Sequence, residues 1–243
     1  QKNQQSVLKI IESVFNEIDK FLKLNKDNDY NFIYDQLVSY GEILSSVIIS
    51  EYLNSIGLKS KWIDARSCIK TDQYYRDANV DFEKTSNSIK RKIKGKGLFI
   101  SQGFIGSNKK SFTTTLGREG SDYSAAIFAH ALNAESVTIW KDVRGVLNAD
   151  PRYFNKTKLL NKISYEEAIE LAFYGASVIH PKTLQPLKKK KIPLYVKSFL
   201  SPSREGTVIS KKDHKVKDIP SHIVKWNRVL LKISSKDFSF IVE

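Results

Sequence analysis

Gly97-Leu98-Phe99-Ile100-Ser101-Gln102-Gly103, and then Thr113-Thr114-Thr115-Leu116-Gly117-Arg118-Glu119-Gly120-Ser121-Asp122, decide the architecture of this chain. The first run is short and apolar and predicts a buried strand, followed by a loop carrying Gly103 and Gly106. The second leads into a helix opened by Gly120-Ser121-Asp122, with Tyr123, Ala125, Ala126, Phe128 and Leu132 along it. Val137-Thr138-Ile139-Trp140 is the next strand, entering a turn-rich loop from Lys141 to Pro151. Strand, helix and strand in that order predict a parallel crossover.

The alternation continues outward. Residues 6–24 repeat apolar positions at helical spacing, and residues 33–56 predict a long, largely buried helical region broken near Tyr40-Gly41. Lys61–Asp64 reads as a strand, Asp81–Ile93 and Tyr165–Phe173 as helices, residues 182–190 as a helix and Leu194–Lys197 as a strand. The expected fold is a three-layer α/β/α sandwich with a mainly parallel central sheet covered on both faces. From about residue 221 the texture changes to two short strands, His222–Lys225 and Val229–Ile233. The expected division is therefore residues 1–220 as one domain and 221–243 as the opening of a second.

Composition narrows the class. The 243 residues are 41% hydrophobic and 11% aromatic, ordinary for a globular chain, and no run approaches the length of a membrane span. The N-terminus shows no apolar targeting core, so a soluble, cytoplasmic protein is expected. The single cysteine, Cys68, excludes an internal disulfide and reads as a half-buried filler. The charge of +14, from 40 Lys plus Arg against 26 Asp plus Glu, raises the possibility of a nucleic-acid partner. Yet the lysines are scattered, and the densest run, Lys188–Lys191, ends a helix, where cations suit the C-terminus. A solvated face is the preferred reading. The chain has no methionine and stops within the apolar run 238–242, so it reads as incomplete.

Chemistry concentrates in four places. Beside the Gly-rich turn, Arg118 stands ready to clamp a carboxylate, and Ser121 or Asp122 serves either as an ordinary N-cap or as a ligand-facing group. Cationic and acidic groups together suit an amino acid. The loop Lys141-Asp142-Val143-Arg144 through Asp150-Pro151-Arg152 leaves the C-terminal end of a strand, where open α/β sheets bind ligands, and its cations suit polyphosphate. In Gly175-Ala176-Ser177-Val178-Ile179-His180-Pro181, Gly175 reads as a helix end and His180 as structural. Glu42, in Ser39-Tyr40-Gly41-Glu42, is a carboxylate among apolar neighbours and calls for a cationic partner, from the protein or from a ligand.

Taken together and in this order, the four elements resemble aspartate kinases of the amino-acid kinase family, over about residues 35–243. The residues beyond Ser221 are similar to the start of that family's ACT regulatory domains, an α+β fold. The resemblance implies an amino-acid kinase fold and ATP-dependent phosphorylation of the side-chain carboxylate of L-aspartate, the first step toward lysine, threonine and methionine. It implies that Glu42 binds aspartate, that Arg118 grips a substrate carboxylate, and that Ser121 and Asp122 line the meeting point of substrate and phosphate. Arg118 and Asp122 would be the catalytic pair. Lys141, Asp142, Leu147, Arg152, Ser177 and Val178 fall where the family holds ATP. ATP and Mg2+ are the implied co-substrate and cofactor, with no dedicated set of protein metal ligands. Lysine or threonine would be the feedback inhibitor, and a homodimer or higher homo-oligomer the assembly, with neither nucleic acid nor membrane as a partner.

Several positions depart from the family pattern. Its N-terminal phosphate loop is absent from these residues, so they are expected to have little activity alone. Ser177 stands where a Lys is common, Leu147 where a Tyr is frequent, Glu119 where a Gly is frequent, and Lys141 where a Thr is frequent. Lys141 is expected to supply the positive charge missing at residue 177. The alternatives are another member of the same superfamily, a basic nucleic-acid-binding protein, or a catalytically retired regulatory subunit.

Overall fold

The computed structural model describes residues 2–175, 178–211, 219–224, 226, 227 and 229. Two long helices come first, α1 (Lys2–Leu24) and α2 (Tyr30–Ser55), followed by β1 (Ser60–Ile63) and a single turn, α3 (Ala65–Cys68). Then come α4 (Phe82–Lys92), β2 (Leu98–Ser101), the hairpin β3 (Ile105–Ser107) and β4 (Thr113–Thr115), and α5 (Gly120–Leu132). The remainder is β5 (Val137–Lys141), β6 (Lys162–Ser164), α6 (Tyr165–Tyr174), α7 (Pro181–Lys190), β7 (Leu194–Ser198) and β8 (Thr207–Ser210).

The α/β alternation and the parallel pairings are as expected, but the described strands do not form one sheet. β1 and β2 pair in parallel, β3 and β4 form an antiparallel hairpin, and the third sheet runs β5-β7-β8-β6. Within the third sheet β5/β7 and β8/β6 are parallel, while β7/β8 is antiparallel. β3, β4, β6 and β8 are strands that the sequence pattern does not predict. At three or four residues each, they are too short for alternation to register.

The helix boundaries follow local chemistry. Asp29, Asp64 and Asp81 each accept a backbone N–H at the start of the helix they open. Ser164 and Glu167 form a reciprocal capping box on α6. Lys188, Lys189 and Lys190 occupy the last turn of α7, as their charge predicts. Lys188 also pairs with Glu166 at 2.7 Å. One expectation fails: α2 runs unbroken through Tyr40-Gly41. Gly41 faces open space, and its cost in a helix interior, about 1 kcal/mol, is too small to break a helix held by packing at both ends.

α5 is the spine of the molecule. Ala126 and Ala129 pack into the larger core with Ile139, Leu184, Leu194, Val196 and Ile209. Tyr123, Ile127 and Ala131 pack into a second core with Cys68, Ile69, Ile89 and Leu116. A helix clamped between two cores presents its N-terminus at a fixed place. Cys68 is fully buried, not half-buried, and burial pushes its thiol pKa upward, which suits a filler and not a nucleophile.

Near the end of the described chain, residues 219–224 lie against the loop after β5. His222 donates its N–H to Asn148 O at 2.7 Å, Asn148 Nδ2 donates to Pro220 O at 3.1 Å, and His222 stacks on Phe154. His222 makes one isolated bridge to Ala149, and 222–224 form no strand of the expected kind. Apart from residues 226, 227 and 229, the rest of the expected second domain, including Leu230–Ile233 of the second expected strand, lies outside the described residues.

Candidate active site

The first turn of α5 is tied to the glycine loop from below. Phe104 N donates to Ser124 Oγ at 2.9 Å, Ser124 Oγ donates to Gly120 O at 2.9 Å, and Leu116 N donates to Phe104 O at 2.9 Å. A Cβ on Gly103 would stand 2.8 Å from Ser121 Cα, so only glycine lets this loop press against the helix start. Neither Ser121 nor Asp122 caps the helix. The N-cap is Glu119, in left-handed backbone with φ 53, and its side chain makes no capping hydrogen bond. That leaves Ser121 exposed and Asp122 free for other contacts. Arg118, also exposed, makes no ion pair or side-chain hydrogen bond with a described residue.

α2 brings Glu42 to the same region. Asp35, Glu42 and Ser46 fall within a narrow arc of one helix face. Asp35, fully buried, accepts from Thr115 N and Thr115 Oγ1 at 2.8 Å each and from Arg76 N at 2.9 Å. Burial pushes its pKa upward against those three bonds. Ser46 Oγ accepts from Gln102 Nε2 at 2.7 Å, and Gln102 Oε1 accepts from Ala65 N at 2.7 Å. Glu42 therefore lies between two anchors, one on the strand leading to Arg118 and one on the residue before Gly103. The cationic partner expected for it is not found among the described residues. Burial alone raises its pKa. Half-buried and unpaired, it suits a positively charged ligand group.

The third contributor is the end of β5. Lys141 Nζ lies 2.6 Å from Asp122 Oδ2 and 4.0 Å from Glu119 Oε2. The Asp122 contact is one of charge: its buried Oδ2 accepts no properly aligned hydrogen bond. Glu119 Oε2 accepts from His180 N at 3.0 Å, joining the start of α7 to the start of α5. His180 is the N-cap of α7, accepting from Lys182 N, which agrees with its structural reading. Beyond Lys141, the loop walls a cavity of about 660 Å3 lined by Asp142, Arg144, Leu147, Thr157, Arg204 and Gly206, among others. Gly145 and Gly206 admit close backbone approaches there, both at positive φ.

The expected nucleotide residues thus separate. Asp142 and Leu147 line the cavity, and Lys141 stands between it and α5. Arg152 turns outward, pairing with Asp150 at 2.6 Å with its side chain 79% exposed. Val178 packs against the larger core. Ser177 lies outside the described residues. Sequence reasoning noted Glu119 only as an unusual residue; its left-handed backbone and its reach to His180 and Lys141 have no local sequence signal. Asp35 and Gln102 were likewise missed, because their partners lie 80 and 37 residues away.

Among the described residues Arg118 and Glu42 have no charged partner, the start of α5 meets the Lys141 ammonium, and the loop after Lys141 walls a roomy cavity. That is suited to holding a small zwitterion against a polyanion. Among the described residues no cluster of three acidic, His or Cys side chains forms a metal cage, and no helix is long and apolar enough to cross a membrane.

The chain is 37% identical over 204 residues to the lysine-sensitive aspartokinase 3 of Escherichia coli, covering 83% of this chain and 45% of that protein. It is 36% identical over 235 residues to the bifunctional aspartokinase/homoserine dehydrogenase of Buchnera aphidicola, covering 93% of this chain and 28% of that protein. The chain therefore spans less than half the length of these relatives. The crystal structure of E. coli aspartokinase III in complex with aspartate and ADP superimposes with a TM-score of 0.80 at 35% identity, covering 86% of this chain and 47% of that one. The amino acid kinase family matches residues 3–198, most of the chain, and the chain belongs to that family.

Proposed function

We propose that these residues form the phosphoryl-transfer domain of an aspartate kinase, which moves the terminal phosphoryl group of ATP onto the side-chain carboxylate of L-aspartate to give 4-phospho-L-aspartate. The observation that carries the reading is the contact between Asp122 and Lys141. It joins the helix start flanked by Arg118 to the strand end that opens the 660 Å3 cavity, so an amino-acid side and a nucleotide side meet at one ion pair. The E. coli relative crystallised with aspartate and ADP supports the same pairing of ligands.

In this reading Glu42 receives the aspartate ammonium, and Arg118 receives a carboxylate through a bidentate fork. Ser121 and the α5 N-terminus face the reacting groups. The acceptor carboxylate has an ordinary pKa near 3.9 and is ionised at neutral pH, so no general base is required. One acceptor oxygen forms the new bond to phosphorus while the bond to the bridging oxygen of ADP breaks. The protein's task is to hold two anions in line and to offset the charge that spreads over the transferred group. Lys141 contributes to the second. Asp122, with a buried oxygen short of a hydrogen bond, fits a single carboxylate ligand for Mg2+ arriving with nucleotide phosphates, as that ion prefers. When bound, the ion would neutralise phosphate charge.

The test is coupled ATP turnover by the intact protein with aspartate, glutamate, acetylglutamate, carbamate and a nucleoside monophosphate as acceptors. Aspartate alone is expected to give rapid turnover. A preference for any other acceptor overturns the assignment. The name of the lysine-sensitive relative supports lysine, ahead of threonine, as feedback inhibitor, which the same assay reads directly.

A further inference from the structure

The start of α5 carries a glutamate that its own helix does not use. Glu119 occupies left-handed backbone, a conformation unfavourable to residues with a Cβ, and forgoes the capping bond such a position offers. Its carboxylate instead accepts the His180 N–H and approaches Lys141 Nζ. The side chains of Glu119, Asp122 and Lys141 are 18%, 14% and 23% exposed, so the three charges are largely sheltered from screening. The helix start does not depend on this carboxylate, because Gly120 N already donates to Gly117 O and Ser124 Oγ secures the turn from within.

We propose that Glu119 is a positioning residue for Lys141, retaining the ammonium over the start of α5 when Asp122 turns to the nucleotide's phosphates and their cation. The inference rests on the nucleotide reading of the loop after β5. Asp122 alone cannot do both tasks. A lysine held by a single carboxylate is released when that carboxylate finds another partner, and its flexible stem then returns to water. Glu119 cannot leave in the same way, because one of its oxygens is fixed to the backbone of His180. The ammonium therefore has a second, stationary counter-charge and stays where the outer phosphates of a nucleotide must lie. Nucleotides lacking those phosphates should not sense it.

The experiment is calorimetric titration of ATP and AMP into the intact protein and four variants. Glu119→Gln keeps an acceptor for the His180 N–H but loses the charge. It is expected to weaken ATP about tenfold, the scale of one charge-assisted contact, and to leave AMP unchanged. Lys141→Ala should weaken ATP at least as much, and the double variant no more than Lys141→Ala alone, because both act through one ammonium. Glu119→Gly relieves the backbone, so it should melt no lower than wild type yet lose the same ATP affinity. ATP affinity of Glu119→Gln within twofold of wild type, additive losses in the double variant, or a loss confined to Glu119→Gly would each overturn the proposal while leaving the nucleotide reading intact. Failure of the wild type to bind any nucleotide would remove both.

Discussion

Asp35 grips Thr115 at two points, taking its backbone N–H on one oxygen and its hydroxyl on the other, each at 2.8 Å. Glu42 lies seven residues along α2, two turns and about 10 Å away on the same face. Arg118 follows three residues after Thr115. One carboxylate thereby sets the spacing between the two proposed aspartate-binding groups.

Asp35→Ala should lower the unfolding free energy by about 3 kcal/mol, because it strands the buried N–H and hydroxyl of Thr115 and the part-buried N–H of Arg76. Asp35→Asn should cost much less, since an amide can accept the N–H bonds and donate to the hydroxyl. Urea denaturation of both variants checks this. Equal losses in the two would show that the hydrogen bonds are not the source.

Glu42 is half-buried without a partner and has a raised pKa, so the folded state binds its proton more tightly than the unfolded chain does. Stability must then fall as pH rises from the unfolded carboxylate value through the raised folded one, and the penalty is complete above the latter. Glu42→Gln should accordingly melt about 1–3 °C higher than wild type at pH 7 and show no advantage at pH 3. The same variant should lose aspartate turnover. A melting difference that is independent of pH would contradict the unpaired charge.

Arg118→Ala should raise the aspartate KM by about ten- to a hundredfold with little change in the ATP KM. Arg118→Lys should restore only a small part, because an ammonium lacks the two-pronged geometry of the guanidinium. An equal rise in both Michaelis constants would place Arg118 on the nucleotide instead.

Gly103→Ala forces a methyl against Ser121 at 2.8 Å from its Cα and 2.9 Å from its Cβ. The loop or the helix start must shift, at a cost of about 1–3 kcal/mol. Because Ser121 is proposed to border the reacting groups, kcat should fall by more than the stability loss alone would cause. Thermal melting combined with turnover separates the two effects.

Much of this site was legible before the fold was known. The helix opened by Gly120, the strand leading into Lys141 and the structural reading of His180 follow from local patterns, and local patterns survive folding. What could not be read was long-range. Asp35 looks like any polar residue on a helix until β4 arrives beside it. Lys141 was expected to face phosphate, yet its partner in the structure is Asp122, nineteen residues upstream across a crossover that sequence predicts only in outline. Glu42 calls for a cation from the protein or from a ligand, and among the described residues the protein supplies none. The division of the sheet into three pieces was hidden because each additional strand is shorter than the period needed to recognise it.

The bonds between Asn148 and residues 220–222 make the tail a mechanical tether. Asn148 is the immediate neighbour of Leu147 in the cavity wall, and it is held by main-chain and amide contacts, which stretch little before they break. A displacement at residues 220–222 would therefore reach the wall of the proposed nucleotide cavity through those two bonds. Asn148→Ala removes the amide bond to Pro220 and leaves the main-chain bond from His222, so it should loosen the coupling between the cavity wall and the chain beyond it without abolishing it.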